Sequence, residues 1–396
     1  MMMPKLNRAD QQALDSLMDV EPIWIELGTA QELIGLDDYT LLHAGPPIRP
    51  GDEIAPPLHH SAILATLFET WATTVEEAAH LIASGRIQLR PAQHWSVVTP
   101  LASVVSPSMV LQVIGDRHHS GYRAYSPLNG GASPALRFGT LDLTVVDRLR
   151  WLHDYLAPAF ETVLHTPIDL IPIADYALAS GNECHGMTAA GSEVLCKTLQ
   201  PMNLAADALT FIQASPTFFL NLWMAACKCM LNAASGVKGS SLITSMAGNG
   251  REFGIILSAN PDRWITAPAL PPQQHSNDSM FPEQYCGAIG DSAVIDALGL
   301  GGMALAYATQ FAADLQAIAP SNFGQLPQYL LAAEHPGFIA SHLRVGLTAA
   351  AVQETRMTPL INLAILDQQG INGMVGKGIY RPPLTLFERA IAEIDA

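Results

Sequence analysis

Positive charge is scarce in this 396-residue chain. Lys5, Lys197, Lys228, Lys238 and Lys377 are its only lysines, and 20 Lys+Arg stand against 36 Asp+Glu, a formal charge of −16. A nucleic-acid-binding protein needs a basic stripe to release phosphate counterions, so DNA and RNA are disfavoured as partners. Anionic membrane surfaces are disfavoured on the same ground. Charge of either sign is thin, at 14%, while 49% of the residues are apolar. That is a core-rich globular composition, not a disordered one. Cysteine is rare and odd in number, five in all, which makes no disulfide framework and fits a cytoplasmic setting. MMMPKLNRADQQ lacks the apolar stretch of a signal peptide. The one candidate membrane span, Ala208 to Cys227, contains Gln213, Ser215, Pro216 and Asn221. Ser215-Pro216 reads as a cap followed by proline at the first helical position, so a buried core helix is expected there.

Pattern changes divide the chain into three expected parts of a mixed α/β (α+β) fold: two mixed domains, 1–140 and 236–396, around a helical domain at 141–235. In the first, residues 8–18 have helical period with Asn7 as cap, and Thr40–His43 is a strand stopped by Ala44-Gly45-Pro46-Pro47. Ile63, Leu64, Leu67, Phe68 and Trp71 recur at helical spacing, and Thr74 with Glu77 forms a capping box. Val97-Val98 and Val110–Ile114 read as strands. In the middle part, Leu141–Leu156, 186–199, 203–213 and Pro216–Ala234 read as helices, with Pro158 a break and Gly236 a C′ residue. The third part has strand-like runs, Ser241–Met246 and Glu252–Ser258, flanking Asn249-Gly250, a hairpin signal. A proline-rich stretch over 267–284 reads as a loop. Helices are expected at Asp291–Leu298, Gln310–Ile318, Gln325–Ala333 and Leu384–Ile394, a strand at Pro359–Leu366, and a glycine-rich loop at Gly370–Gly378.

The residues that could carry chemistry lie scattered along this pattern. Gly290-Asp291-Ser292 opens a helix, with Gly301 and Gly302 beyond it, and amides at such a start could hold a phosphate or carboxylate. Neither that loop nor Gly373–Gly378 matches GxxxxGK[ST] or GxGxxG, so each also reads as a plain turn. Asn182-Glu183-Cys184-His185 sets Glu beside His, a pair suited to acid–base work. HExxH and paired CxxC are absent, so no metal site is expected. His59-His60 and His118-His119 read as exposed loop histidines. Lys228 is the only charge between Ala208 and Ala234. It either snorkels to water or is a buried cation with a lowered pKa or an anionic partner.

Several collinear blocks resemble the YlbE/YahG-like family, long carried as a domain of unknown function. They are Leu42-His43-Ala44-Gly45-Pro46-Pro47, Leu67-Phe68-Glu69 with Trp71-Ala72, Arg123-Ala124-Tyr125 and Leu136-Arg137-Phe138-Gly139. Then come Phe218-Phe219-Leu220-Asn221 with Met224–Lys228, Asn249-Gly250 with Glu252-Phe253-Gly254, and Gly290–Ala293. Gly301–Ala304, Thr358–Asn362 and Arg381–Leu384 close the set. The chain departs from the family pattern at Asn182, Met187 and Thr188, at Gly248 where an arginine is usual, at Asn129-Gly130-Gly131, which lacks a glutamate, and at Thr99-Pro100-Leu101.

The resemblance implies a carbamoyltransferase-like subunit of the oxamate carbamoyltransferase type, serving anaerobic allantoin breakdown. Oxalurate and phosphate give oxamate and carbamoyl phosphate, which a carbamate kinase then uses. The implied partners are an acyl-CoA-synthetase-like subunit of the FdrA type, a third subunit and small anionic substrates, and the chain could also form a homo-oligomer. No cofactor is implied. Under this reading Gly290, Asp291, Ser292, Gly301 and Gly302 form an anion loop, with His43 at the substrate. Lys228 and Arg263 supply positive charge, Asn249 donates to an oxygen, and Glu183 or His185 moves the proton. The departures leave room for a different acceptor, or for a non-catalytic scaffold subunit whose site has decayed.

Overall fold

A computed structural model describes residues 6–131, 134–274, 284–315 and 318–394. The stretch around Lys228 forms the helix Phe218–Ala233, and 14 of its 16 residues are buried, so it is enclosed on every side. Its entry differs from the expected Ser215 cap. Ser215 Oγ turns back to Phe211 O, and Ser192 Oγ accepts from Phe219 N–H instead, while donating to Pro216 O. A helix start buried by its neighbours must find its cap among them. Among the described residues, no helix is long and apolar enough to cross a membrane.

The architecture is mixed α/β, 41% helical and 21% strand. One antiparallel four-stranded sheet runs in the spatial order Arg123–Pro127, Val110–Asp116, Pro22–Thr29, Ile168–Asp169. A second runs Ile265–Pro268, Glu252–Leu257, Ile243–Asn249, Ile289–Gly290. Its central hairpin turns at Asn249, whose Oδ1 accepts from the Arg251 and Glu252 amides. Thr40–His43 pairs in parallel with Gln88–Pro91 across the helices Pro56–Phe68 and Val75–Ala83, and antiparallel with Val104–Val105. Leu331–Glu334 with Arg344–Leu347, and Ile361–Leu366 with Met374–Tyr380, form two further ribbons.

Two apolar clusters hold these layers. One is built on residues 30–146 and takes in Cys286, Ile289 and Leu366. The other contains Trp223 and Met224 of the central helix together with Trp24, Phe160, Phe253, Phe338 and Phe387. The central helix therefore packs on strands from both ends of the chain.

The helices at Arg8–Met18 and Leu384–Ile394 form as their period predicts. Between Thr144–Trp151 and Ala157–Glu161 the chain makes a π turn, Leu152–Leu156, just ahead of Pro158, whose missing N–H cannot continue the ladder. His59 and His60 lie on a helix, half-buried, rather than in a loop. The expected loop Gly370–Gly378 is largely strand: Gly378 pairs with Leu363 and lets the 273 segment cross, since a Cβ there would stand 2.4 Å from Gln273 O. The proline-rich stretch is only partly covered, because 275–283 lie outside the described residues.

Candidate active site

A cavity of about 500 Å³ opens between these parts. Pro100, Leu101, Gly131, Arg137 and Phe138 come from the N-terminal part, and Pro216, Thr217, Leu220 and Asn221 from the central helix and its entry. His185, Gly186, Ser292, Phe311, Asn362, Leu363, Met374 and Lys377 are also on the wall. Mostly apolar lining with a few convergent polar groups is the usual make-up of a small-molecule site.

His185, Asp296, Glu183 and Asn362 form one connected network. His185 Nδ1 sits 2.6 Å from Asp296 Oδ2, both side chains buried. Asp296 Oδ1 accepts from the Gly302 amide at 2.7 Å and the Asn362 amide at 3.1 Å. The carboxylate is thus fixed and holds the imidazole by one nitrogen, leaving Nε2 for an occupant of the cavity. Burial raises the Asp296 pKa, an effect that His185 and the two amides oppose. Behind His185 lies Glu183, which accepts from the amides of His185, Gly186 and Met187 and from Asn362 Nδ2. Its pKa is raised by burial against those donors. Cys184 between them has φ +65°, a left-handed conformation rare outside glycine. Such strain persists only where surroundings impose it, and it clusters at functional sites. Asn362 Oδ1 is buried without a partner among the described residues.

Two cations border the same cavity. Arg137 donates to Gly131 O at 2.6 Å, and burial lowers its pKa to about 10, so it remains charged at neutral pH. Lys377 donates to Gly186 O, next to His185. Among the described residues, no three or more His, Cys, Asp or Glu side chains group so as to hold a metal.

The residues singled out from sequence fall into three places. His185 and Ser292 line the cavity, and Glu183 stands directly behind. Gly301 and Gly302 belong to the same network, though not as a phosphate cradle. The Gly301 amide goes to Glu183 O and that of Gly302 to Asp296, and a Cβ on Gly301, at φ +59°, would lie 2.3 Å from Asp296 Oδ1.

A separate buried cluster holds Asp291, Lys228 and His43. Asp291 accepts from Gly45 N, Gln93 Nε2, Thr99 N and Thr99 Oγ1, and burial lifts its pKa to about 6. The Asp291 amide is itself taken by Thr99 O. Lys228 is buried and donates to Thr244 O and Ser245 Oγ. Burial lowers its pKa to about 7, with Asp291 opposing. His43 Nδ1 meets Ala44 O. Gly290 extends the sheet opposite Gly248, and Asn249 Nδ2 binds Pro46 O. None of these five lines the cavity. Arg263 lies at the surface, paired with Glu393. Sequence reasoning missed Asp296, Asn362, Asn221 and Arg137 as site residues. Asp296 lies three residues before the glycine run at 299–302, and Arg137, Asn221 and Asn362 fall in the blocks that carry the family resemblance.

The model of the family described as oxamate carbamoyltransferase subunit AllG matches residues 87–292. Oxamate carbamoyltransferase subunit AllG of Escherichia coli (strain K12) is 31% identical over 411 residues, 98% of this chain and 98% of its own length. The uncharacterized protein YahG of the same strain is 32% identical over 409 residues, 98% of this chain and 85% of its own. A crystal structure of a conserved protein of unknown function from Enterococcus faecalis V583 matches with TM-score 0.90 at 29% identity, covering 98% of this chain and 97% of that one.

Proposed function

For this chain, which belongs to the oxamate carbamoyltransferase subunit AllG family, we propose that the cavity is where a carbamoyl group passes from oxalurate, or a related N-carbamoyl donor, to phosphate. The observation that carries this is the His185–Asp296 pair opening into a largely apolar cavity. A phosphate oxygen attacks the carbamoyl carbon and the C–N bond breaks. The electron pair goes to nitrogen, and the phosphate's proton must follow it to make oxamate. His185 Nε2 takes that proton and hands it to the leaving nitrogen. Asp296 holds the ring in the tautomer that accepts. Ser292, on the cavity wall, donates to the carbonyl oxygen as charge develops there. Glu183 shapes the 185–187 turn and does not carry the proton. The subunit acts in the cytoplasm, in an assembly with an FdrA-type acyl-CoA-synthetase-like subunit and a third subunit.

A non-catalytic scaffold subunit is the second reading. One observation favours it: the Asp291, Gly301 and Gly302 amides are consumed inside the protein. His185→Asn in the assembled complex separates the two. Transfer in this cavity requires carbamoyl phosphate formation to fall by about 10²–10⁴-fold, the usual worth of a general base, with assembly intact. Undiminished turnover would leave the scaffold reading.

A further inference from the structure

Among the described residues, Arg137 is the one buried guanidinium on the cavity wall, 9% exposed. It comes from the short 3₁₀ turn Leu136–Phe138 and lies over the Phe138 ring at 4.8 Å. Among the described residues it forms no ion pair, and Gly131 O is the only acceptor its side chain meets. A guanidinium has five N–H donors in a planar fork. None of its nitrogens is among the buried atoms without a partner, and the residue lines the cavity. A buried cation with no anion is costly, and an anionic occupant removes that cost. Lys377 comes from another element, the strand Met374–Tyr380, and also has no carboxylate partner among the described residues. Its ammonium is tied to Gly186 O, one residue from His185. Leu101, Leu220, Phe311 and Leu363 contribute apolar wall to the same cavity, which strengthens each charge's pull on an anion.

We infer that Arg137 and Lys377 divide two anions between them: Arg137 takes the carboxylate of the carbamoyl donor, and Lys377 takes phosphate. The division rests on the transfer reading above and deepens it. A planar carboxylate matches the arginine fork, and a point charge suits a tetrahedral phosphate. Phosphate is also the group whose proton His185 accepts, so it belongs at the cation beside His185.

The test is calorimetry on the full chain with inorganic phosphate, with oxamate and with neutral oxamide, together with donor and phosphate KM values in the assembled complex. Arg137→Gln should weaken oxamate about 10–100-fold, the range for a lost charged hydrogen bond, and leave phosphate within about threefold. Lys377→Gln should do the converse. Arg137→Lys, which keeps the charge but not the fork, should fall between wild type and Arg137→Gln for oxamate, and oxamide should be indifferent to all three changes. Circular dichroism and melting curves show which variants fold, and Arg137→Lys serves if Arg137→Gln does not. Equal weakening of both anions by either variant, or no anion binding by the wild type, overturns the division. A clean split without turnover in the complex would sink carbamoyl transfer and leave the division standing. Turnover with a donor KM unmoved by Arg137→Gln would do the reverse.

Discussion

Asp296→Asn changes one atom of the site and keeps its shape. The Gly302 and Asn362 amides both point at Oδ1, at 2.7 and 3.1 Å. The asparagine must therefore keep its oxygen there. Its NH₂ then faces His185 Nδ1, 2.6 Å from the replaced oxygen. Two donors cannot share that gap, so Nδ1 becomes the acceptor and the ring's proton moves to Nε2. A ring protonated at Nε2 cannot accept the phosphate's proton. Where an aspartate orients a catalytic histidine, this change costs about 10⁴ in kcat. A loss of about 10³–10⁴ is expected here, about 4–5 kcal/mol of barrier at 1.36 kcal/mol per decade. Both backbone donors stay satisfied, so the melting temperature should move by less than about 4 °C. Asp296→Ala is the contrast: it leaves two buried amides unpaired, at about 1–3 kcal/mol each, and should lower stability visibly. The assay is carbamoyl phosphate formation by the assembled complex, read as ATP through a carbamate kinase. Asp296→Asn turnover within tenfold of wild type, in a folded complex, would refute the reasoning.

Three further outcomes follow from the second buried cluster. Lys228→Met should leave turnover near wild type, because Lys228 is outside the cavity wall. It removes a buried cation but takes the donor from Thr244 O and Ser245 Oγ, so its stability relative to wild type should depend on pH. The folded pKa of about 7 lies below the ordinary 10.5, so the cost of the charge is full below pH 7 and fades toward pH 10.5; urea unfolding at pH 6 and pH 9.5 should show the variant more favoured relative to wild type at pH 6. Asp291→Asn places an NH₂ against donors from Gly45, Gln93 and Thr99, and each one left unpaired should cost about 1–3 kcal/mol in denaturant midpoints. Burial lowers the His43 pKa to about 4 from 6.5. Stability is therefore lost as pH falls from 6.5 through 4, by about 3 kcal/mol. His43→Gln should flatten that limb between pH 7 and 4.5, and an unchanged slope would rule the group out.

What could be read from the sequence follows how local each determinant is. Asn7 caps its own helix, and Asn249-Gly250 turns its own hairpin; both needed only neighbours a few residues away. His185 stood out because Glu183 is two residues off. Its working partner, Asp296, is 111 residues distant, and no period or motif links them. The glycines near Asp296 were legible as amides arranged around an anion. The anion turned out to be the protein's own: Gly302 wraps the Asp296 carboxylate, as Gly186 and Met187 wrap Glu183. Sequence gives the nest but not its occupant, because an internal carboxylate and a bound phosphate ask the same of a backbone amide. Lys228 is the buried cation with a lowered pKa that its place in an apolar helix allowed. A lone charge in an apolar helix must find partners, and here a carbonyl and a hydroxyl of the next strand suffice. The departures from the family pattern then acquire a location. Thr99-Pro100-Leu101 and Asn129-Gly130-Gly131 supply Pro100, Leu101 and Gly131 to the cavity wall, while the orienting pair of His185 and Asp296 lies outside the changed positions. Under the proposed transfer, a changed wall around the His185–Asp296 pair alters which carbamoyl donor fits sooner than whether a proton can be moved. That argues for a shifted substrate over a decayed site.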